Sequence, residues 1–185
     1  MFKKIWAPIL MVGCVLGLNS GSAQAGSVGV DLVANGSYTM ATGTANPTAA
    51  MGYPGGGLNL NFNFNDKVAF QLGGHYVTRN YTGGTEGNVT ENFVSGVGGF
   101  KFSLAPAFAI NLGGYYNYGL TTVATGTDYG VAAGISLIVP MGKGIGFLIN
   151  PMYHYALSTK TFSSGSTVVP SELLAFVGFT IGGGK

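Results

Sequence analysis

Leu58-Asn-Leu-Asn-Phe-Asn-Phe-Asn65, then Asp66-Lys67, then Val68-Ala-Phe-Gln-Leu72 is the stretch that decides how this chain folds. Ahead of Asp66-Lys67, every second residue is large and apolar, and every residue between is asparagine. A period of two puts one residue type on each face of an extended strand, here one greasy face and one polar face. Asp66-Lys67 reads as a tight turn, because the alternation restarts immediately after it.

Working outward, the same texture predicts eight strands, near residues 28–40, 57–65, 68–81, 92–104, 107–120, 129–141, 145–158 and 172–181. The connections alternate in length. Asp66-Lys67, Ala105-Pro106 and Gly142-Lys143-Gly144 are short, whereas 41–56, 82–91, 121–128 and 159–171 are long. Short turns alternating with long loops describe an up-and-down barrel, and an even strand number puts both chain ends on the short-turn side.

Composition says what surrounds the barrel. Only 8% of the residues are charged, against about a quarter in ordinary soluble domains. A soluble barrel would turn its apolar face inward and cover its outside with charge, which this chain lacks. The predicted fold is therefore all-β, an eight-stranded antiparallel up-and-down transmembrane β-barrel with lipid outside. Glycine, with 33 residues, is far above its usual share of about 7%; in a narrow barrel it leaves room for opposing side chains.

Residues 1–25 read as a secretory signal peptide: a basic start at Met1-Phe-Lys-Lys4, a mostly apolar run from Ile5 to Leu18, and a small-x-small site at Ala23-Gln24-Ala25. The barrel domain is expected over 26–185. A rival reading takes Met11-Val-Gly-Cys14 as a lipid-acylation box. Removal of 1–25 takes away Lys3, Lys4, Trp6 and Cys14, so the basic residues fall from 8 to 6 and balance the 6 acidic ones. That balance offers no nucleic-acid footprint. Loss of the single cysteine excludes disulfides and thiolate chemistry in the remainder.

Aromatic placement supports the orientation. Tyr38, Tyr76, Tyr81, Tyr116, Tyr118, Tyr129, Tyr153 and Tyr155 fall toward the long-loop ends. Phe62, Phe64, Phe70, Phe100, Phe102, Phe108, Phe147 and Phe179 fall toward the short-turn ends. Two bands of this kind match the aromatic girdles of a membrane barrel. In the fifth strand Phe108, Ile110, Leu112, Tyr116 and Tyr118 share the lipid face; Ala109, Asn111, Gly113, Tyr115 and Asn117 share the inner one. In the seventh, Ile145, Phe147, Ile149, Tyr153 and Tyr155 face out and Gly146, Asn150 and His154 face in.

With these features the chain resembles the small eight-stranded outer-membrane barrels, the group that contains the transmembrane domain of outer membrane protein A and its single-domain relatives. The resemblance covers Gly26 to about Ile181 and is architectural. It implies a Gram-negative outer-membrane location reached through the periplasm, with outer-membrane lipids and lipopolysaccharide as neighbours. It also implies loops open to an extracellular ligand. Members of the group commonly end in an aromatic residue read by the assembly machinery; here the end is Phe179-Thr-Ile181-Gly-Gly-Gly-Lys185, with Phe179 or Ile181 in that place. A monomer is expected.

The predicted lumen holds Asp31, Gln71, His75, Lys101, Asn117 and His154, with Asn59, Asn61, Asn63, Asn111 and Asn150. An axial rise of about 2.4 Å per residue on strands tilted near 45° puts Asp31 and Lys101 both about 10 Å above the short-turn rim. An ion pair across the barrel is the expectation, as a plug or as a gate. Arg79, Glu86, Glu91, Asp128 and Lys160 read as scattered loop charges.

His75 and His154 alone do not make a metal site, which needs three or four ligands. No cofactor is expected. His154, Ser158 and Glu91 or Glu172 supply the ingredients of a lipid-modifying enzyme. However, four residues along a strand span about 13 Å, beyond nucleophile–base reach, so no enzyme is expected. A structural or surface-interaction barrel is the first reading and a small-solute or ion channel the alternative; a lipid-modifying enzyme is the distant third.

Overall fold

The computed structural model of the chain describes residues 26–121, 123–142 and 144–182. The expected signal segment, Cys14, Lys143 and the final three residues lie outside the described residues.

The chain forms β1 (Val28–Thr42), β2 (Ala50–Met51), β3 (Gly55–Asn63), β4 (Val68–Tyr81), β5 (Val89–Ala105), β6 (Phe108–Gly119), β7 (Ala124–Thr125), β8 (Asp128–Gly142), β9 (Ile145–Ala156), β10 (Lys160–Phe162) and β11 (Thr167–Ile181). Eight of these close the wall in the order β1-β3-β4-β5-β6-β8-β9-β11, and β11 pairs back onto β1 from Val30↔Ile181 to Thr42↔Val169. Every pairing is antiparallel. The fold is a closed eight-stranded up-and-down barrel with no free edge in its wall.

The turn after the asparagine run is built by Asn65, whose Oδ1 accepts from the backbone N–H of Lys67 at 2.8 Å and of Val68 at 2.9 Å. This side-chain turn is what asparagine does better than most residues. It fixes the register Phe62↔Phe70 and Asn61↔Gln71, and hence which face points in.

The outward face is apolar along its whole height. Leu32, Leu72, Leu112, Val131, Ile149 and Val177 are all exposed, Leu112 at 50%. A belt of this size is untenable in water and is what a lipid-facing wall requires. Exposed tyrosines ring the long-loop end, and exposed Phe62, Phe64, Phe100, Phe102 and Phe179 ring the other. Tyr81 departs from the expected girdle. It is buried inside the barrel, because it shares parity with His75 and Arg79 on β4.

Two further corrections concern length and loops. β5 and β11 begin three and five residues earlier than the alternation suggests, at Val89 and Thr167. Ladder hydrogen bonding continues above the apolar belt, where Thr and Val keep a strand but no longer alternate with polar residues. The long loops also carry short strands: β2 pairs with β1, while β10 pairs with β11 and β7. Loop residues Ala45, Ala124, Phe162 and Val168 pack with Tyr81 into a small apolar lid over the outer mouth.

Candidate functional site

The lumen is the place where the fold gathers chemistry, and it has three levels. At the short-turn end lies a mostly neutral polar floor. Gln71 donates to Asn61 Oδ1 at 2.9 Å and to Asp31 Oδ2 at 3.5 Å, and Asn111 donates to Ser136 at 2.8 Å. Lys101 is buried at this level of the lumen. The expected Asp31–Lys101 ion pair is not formed: among the described residues no carboxylate lies within ion-pair distance of Lys101. Equal height was a poor guide, because β3 and β4 separate β1 from β5 and Gln71 takes up the Asp31 carboxylate.

The middle level is apolar. Val33, Val77, Phe93, Val97, Leu148, Met152, Leu174 and Phe176 form one packed cluster across the lumen. An interior of asparagine and glycine was expected; the waist is instead a hydrophobic core. His75 is set into it, bonded to Asn59 Oδ1 at 2.8 Å, with its ring centroid 4.6 Å from that of Phe176. Glycine makes the space. A Cβ at Gly57 would stand 2.6 Å from the His75 ring, and one at Gly73 would stand 2.8 Å from it. Each is closer than real Cβ contacts allow. His154 is likewise inside, stacked on Tyr115 at 4.2 Å.

The upper level is charged. Arg79 on β4 is fully buried and holds three carboxylates at once. Nη1 meets Asp128 Oδ2 at 2.7 Å and Glu91 Oε2 at 3.4 Å, while Nη2 meets Glu172 Oε1 at 2.9 Å. Lys160, reaching in from β10, pairs with the other oxygen of Glu91. Tyr81 donates to Glu91 at 3.3 Å, and Asn117 donates to Asp128 Oδ2 at 3.1 Å. The guanidinium also lies 4.6 Å from the Phe93 ring centroid, a favourable cation–aromatic contact. His154 Nδ1 is 3.6 Å from Glu172.

Arg79, Glu91, Asp128 and Lys160 are not the scattered loop charges that the sequence suggests: all four are buried in the lumen. For Arg79 and Glu91 the signal in the sequence is parity. Glu91 is ten residues from Lys101 on β5, and Arg79 is eight from Gln71 on β4, both even separations. Arginine's planar fork explains why one residue can serve several carboxylates. Ser158, the other half of the enzyme alternative, spends its hydroxyl on Tyr129, accepting from the backbone N–H at 3.0 Å and donating to the carbonyl at 3.2 Å.

Outside the lumen, Glu86 ties two loops together by accepting from Ser164 and Ser166. Those hydrogen bonds hold its carboxyl below the ordinary carboxylate range.

No family model matches the sequence, and no curated protein matches it. Solved structures do. The outer membrane protein OprG from Pseudomonas aeruginosa is 12% identical, covers 90% of this chain and 99% of its own, and superposes with a TM-score of 0.67. The outer membrane protein AlkL, determined by solid-state NMR in DMPC bilayers, is 10% identical, covers 85% and 90%, and gives 0.56. The chain has the fold of the small outer-membrane β-barrels.

Proposed function

We propose that this chain is a structural and surface-exposing barrel of the Gram-negative outer membrane whose lumen is shut. The apolar waist carries this reading. Its residues are buried against one another, and the crevice at its base, which runs from Gln71, Val97, Asn111 and Met152 to the lipid-facing Phe100 and Leu112, measures about 10 Å³. That is room for about one water. Solute would have to pass the waist and then a network with a buried arginine at its centre. The alternative, a small-solute channel, needs both levels to move aside.

The barrel meets lipids and lipopolysaccharide around its belt as a single copy, and its loops are the surface open to an outside partner. On the outer side, the described cations Arg79 and Lys160 are both turned inward and buried. Contact with lipopolysaccharide then rests on acyl chains and the tyrosine ring instead of on lysine–phosphate pairs. The same reading assigns no catalytic role, which the engagement of Ser158 by Tyr129 supports. Single-channel recording in planar bilayers tests the proposal. No steady conductance is expected, and a reproducible one from the purified barrel would overturn it.

A further inference from the structure

Residues 157–168 leave the barrel wall on one side of the outer mouth and are fastened on the other. Around the closed ring of strands, β5 stands opposite β11. Pairing of β11 with β1 ends at Thr42↔Val169, β9 ends at Ala156, and 157–159 carry no strand. Beyond that margin the chain is a small hairpin, Lys160↔Val168 and Thr161↔Thr167, with Gly165 at φ 89° in its turn. Its roots are pinned. Ser158 is held by Tyr129, and the Thr167 carbonyl accepts from the N–H of Ala45 at 3.0 Å.

At the far side the attachment changes kind. Among the described residues, no backbone hydrogen bond joins this hairpin to residues 82–91. Two glutamates hold it instead. Glu86 accepts from Ser164 and Ser166 at the tip, and Glu91 pairs with Lys160 underneath. Phe162 rests edge-on against Tyr81, with ring centroids 5.6 Å apart. β10 also pairs with β7, two residues inside a loop, and β7 pairs with no wall strand. Hairpin and β7 thus form one unit over the mouth.

This unit is not packed down on every side. A cavity of about 310 Å³ lies between Lys160, the loop residues 124–127 and the top of β6 at 116–119. Release also leaves no charge stranded. The ion pairs of Arg79 with Glu91, Asp128 and Glu172, and of His154 with Glu172, join wall strands; Lys160–Glu91 joins the hairpin to the wall. When Lys160 withdraws, Glu91 keeps Arg79 at 3.4 Å and the Tyr81 hydroxyl at 3.3 Å, and the ammonium passes into water. Breaking a buried pair is costly when one partner stays buried and unanswered. Here neither does.

We infer that residues 157–168 are a hinged strap, clasped across the outer mouth by Glu86 and Glu91, and that its release opens the arginine network to the outside. With Lys160 withdrawn, Glu91, Asp128 and Glu172 stand against Arg79, so a weakly charged outer face acquires an acidic recess. The waist lies below and does not move with the strap. The conductance test of the closed lumen therefore addresses a separate level.

Lys160 reports on the strap, because it is buried while the clasp is shut. The barrel in phosphatidylcholine nanodiscs is acetylated with a membrane-impermeant succinimidyl ester. Peptide mass spectrometry then compares Lys160 with Lys67, which is exposed in its turn. Lys160 should react at least about tenfold more slowly, as a group reached only by local opening. Glu86→Ala alters the tip and leaves the partner of Lys160 in place; it should raise the Lys160 rate about threefold, as for an exposed contact. Glu91→Gln should raise it further. Oxidation of the Glu86→Cys/Ser164→Cys pair in the Glu91→Gln background should return Lys160 to slow reaction, and reduction should restore the fast one. Compact migration in cold detergent checks that each variant is folded. Equal rates at Lys160 and Lys67 in the unaltered barrel would overturn the inference, as would unchanged rates in both glutamate variants. So would a cysteine pair that does not oxidise, which would place the tip away from Glu86. Fast reaction that persists with the tip cross-linked would mean that Lys160 is reached without strap movement, and overturns it as well.

Discussion

The two ends of the lumen solve the same problem differently. Both bury polar groups inside a wall too narrow for bulk water. At the floor, the solution is mostly neutral: asparagine, glutamine and serine bonded in pairs, with Asp31 leaning on Gln71 and Lys101 left without a carboxylate. At the outer mouth it is ionic, a single arginine gripped by three acidic residues and capped by an apolar lid. The hydrophobic waist keeps the two apart. Neutral hydrogen-bonded pairs are forgiving when one member is lost, because the partner is only a dipole. A hub of charges is not, since every remaining member is left uncompensated.

Removing the hub should therefore give the largest effect. Arg79→Met leaves Glu91 with Lys160 and strips Asp128 and Glu172 of their buried guanidinium. A loss of at least about 3–5 kcal/mol is expected from breaking buried ion pairs, read from urea unfolding in lipid vesicles. A loss under about 1 kcal/mol, the value of a solvent-screened pair, would mean the mouth is wet and would erase the contrast between the two ends.

A smaller effect is expected at the floor. Asp31→Asn and Lys101→Met, made singly and together, should be additive within about 0.5 kcal/mol, as for residues that share no contact. An Arg79/Glu172 cycle in the same assay should show strong coupling. If Asp31 and Lys101 couple as strongly, the floor too is ionic and the distinction fails.

The smallest effect belongs to the loop clip above the lid. Because hydrogen bonds from Ser164 and Ser166 lower the folded-state pKa of Glu86, the stability they add is present above its ordinary value of 4.5 and lost as pH falls through the lowered one. Amide exchange at residues 164–166, corrected for its intrinsic pH dependence, should accelerate only as pH falls below 4.5. Glu86→Gln should remove that dependence; the same acid-induced step in this variant would assign it to another group.

Much of this was legible along the chain. Leu58 to Leu72 carries its own faces, because backbone geometry alone makes alternate side chains diverge, and Asn65 closes its own turn. Alternating connection lengths already described the up-and-down connectivity of the wall. The low charge count fixed lipid as the outer solvent, since no rearrangement can hide an apolar belt without charges to cover it. Sequence parity also contained the inward direction of Arg79, which already lies within the expected strand 68–81, and of Glu91 once β5 is continued to its true start at Val89.

What only the tertiary structure decided is which inward residues meet. Strand periodicity gives a face and an approximate height, but not a position around the barrel, and contact across a lumen depends on all three. Asp31 and Lys101 share a height and remain apart. Arg79, Glu91, Asp128 and Glu172, up to 93 residues apart, converge because closure of β11 onto β1 brings their walls to one axis. The apolar waist follows from the same cause. Inside a closed eight-stranded wall, opposing side chains fill one another's space, so Phe93, Leu148 and Phe176 form a core that no single strand's alternation could reveal.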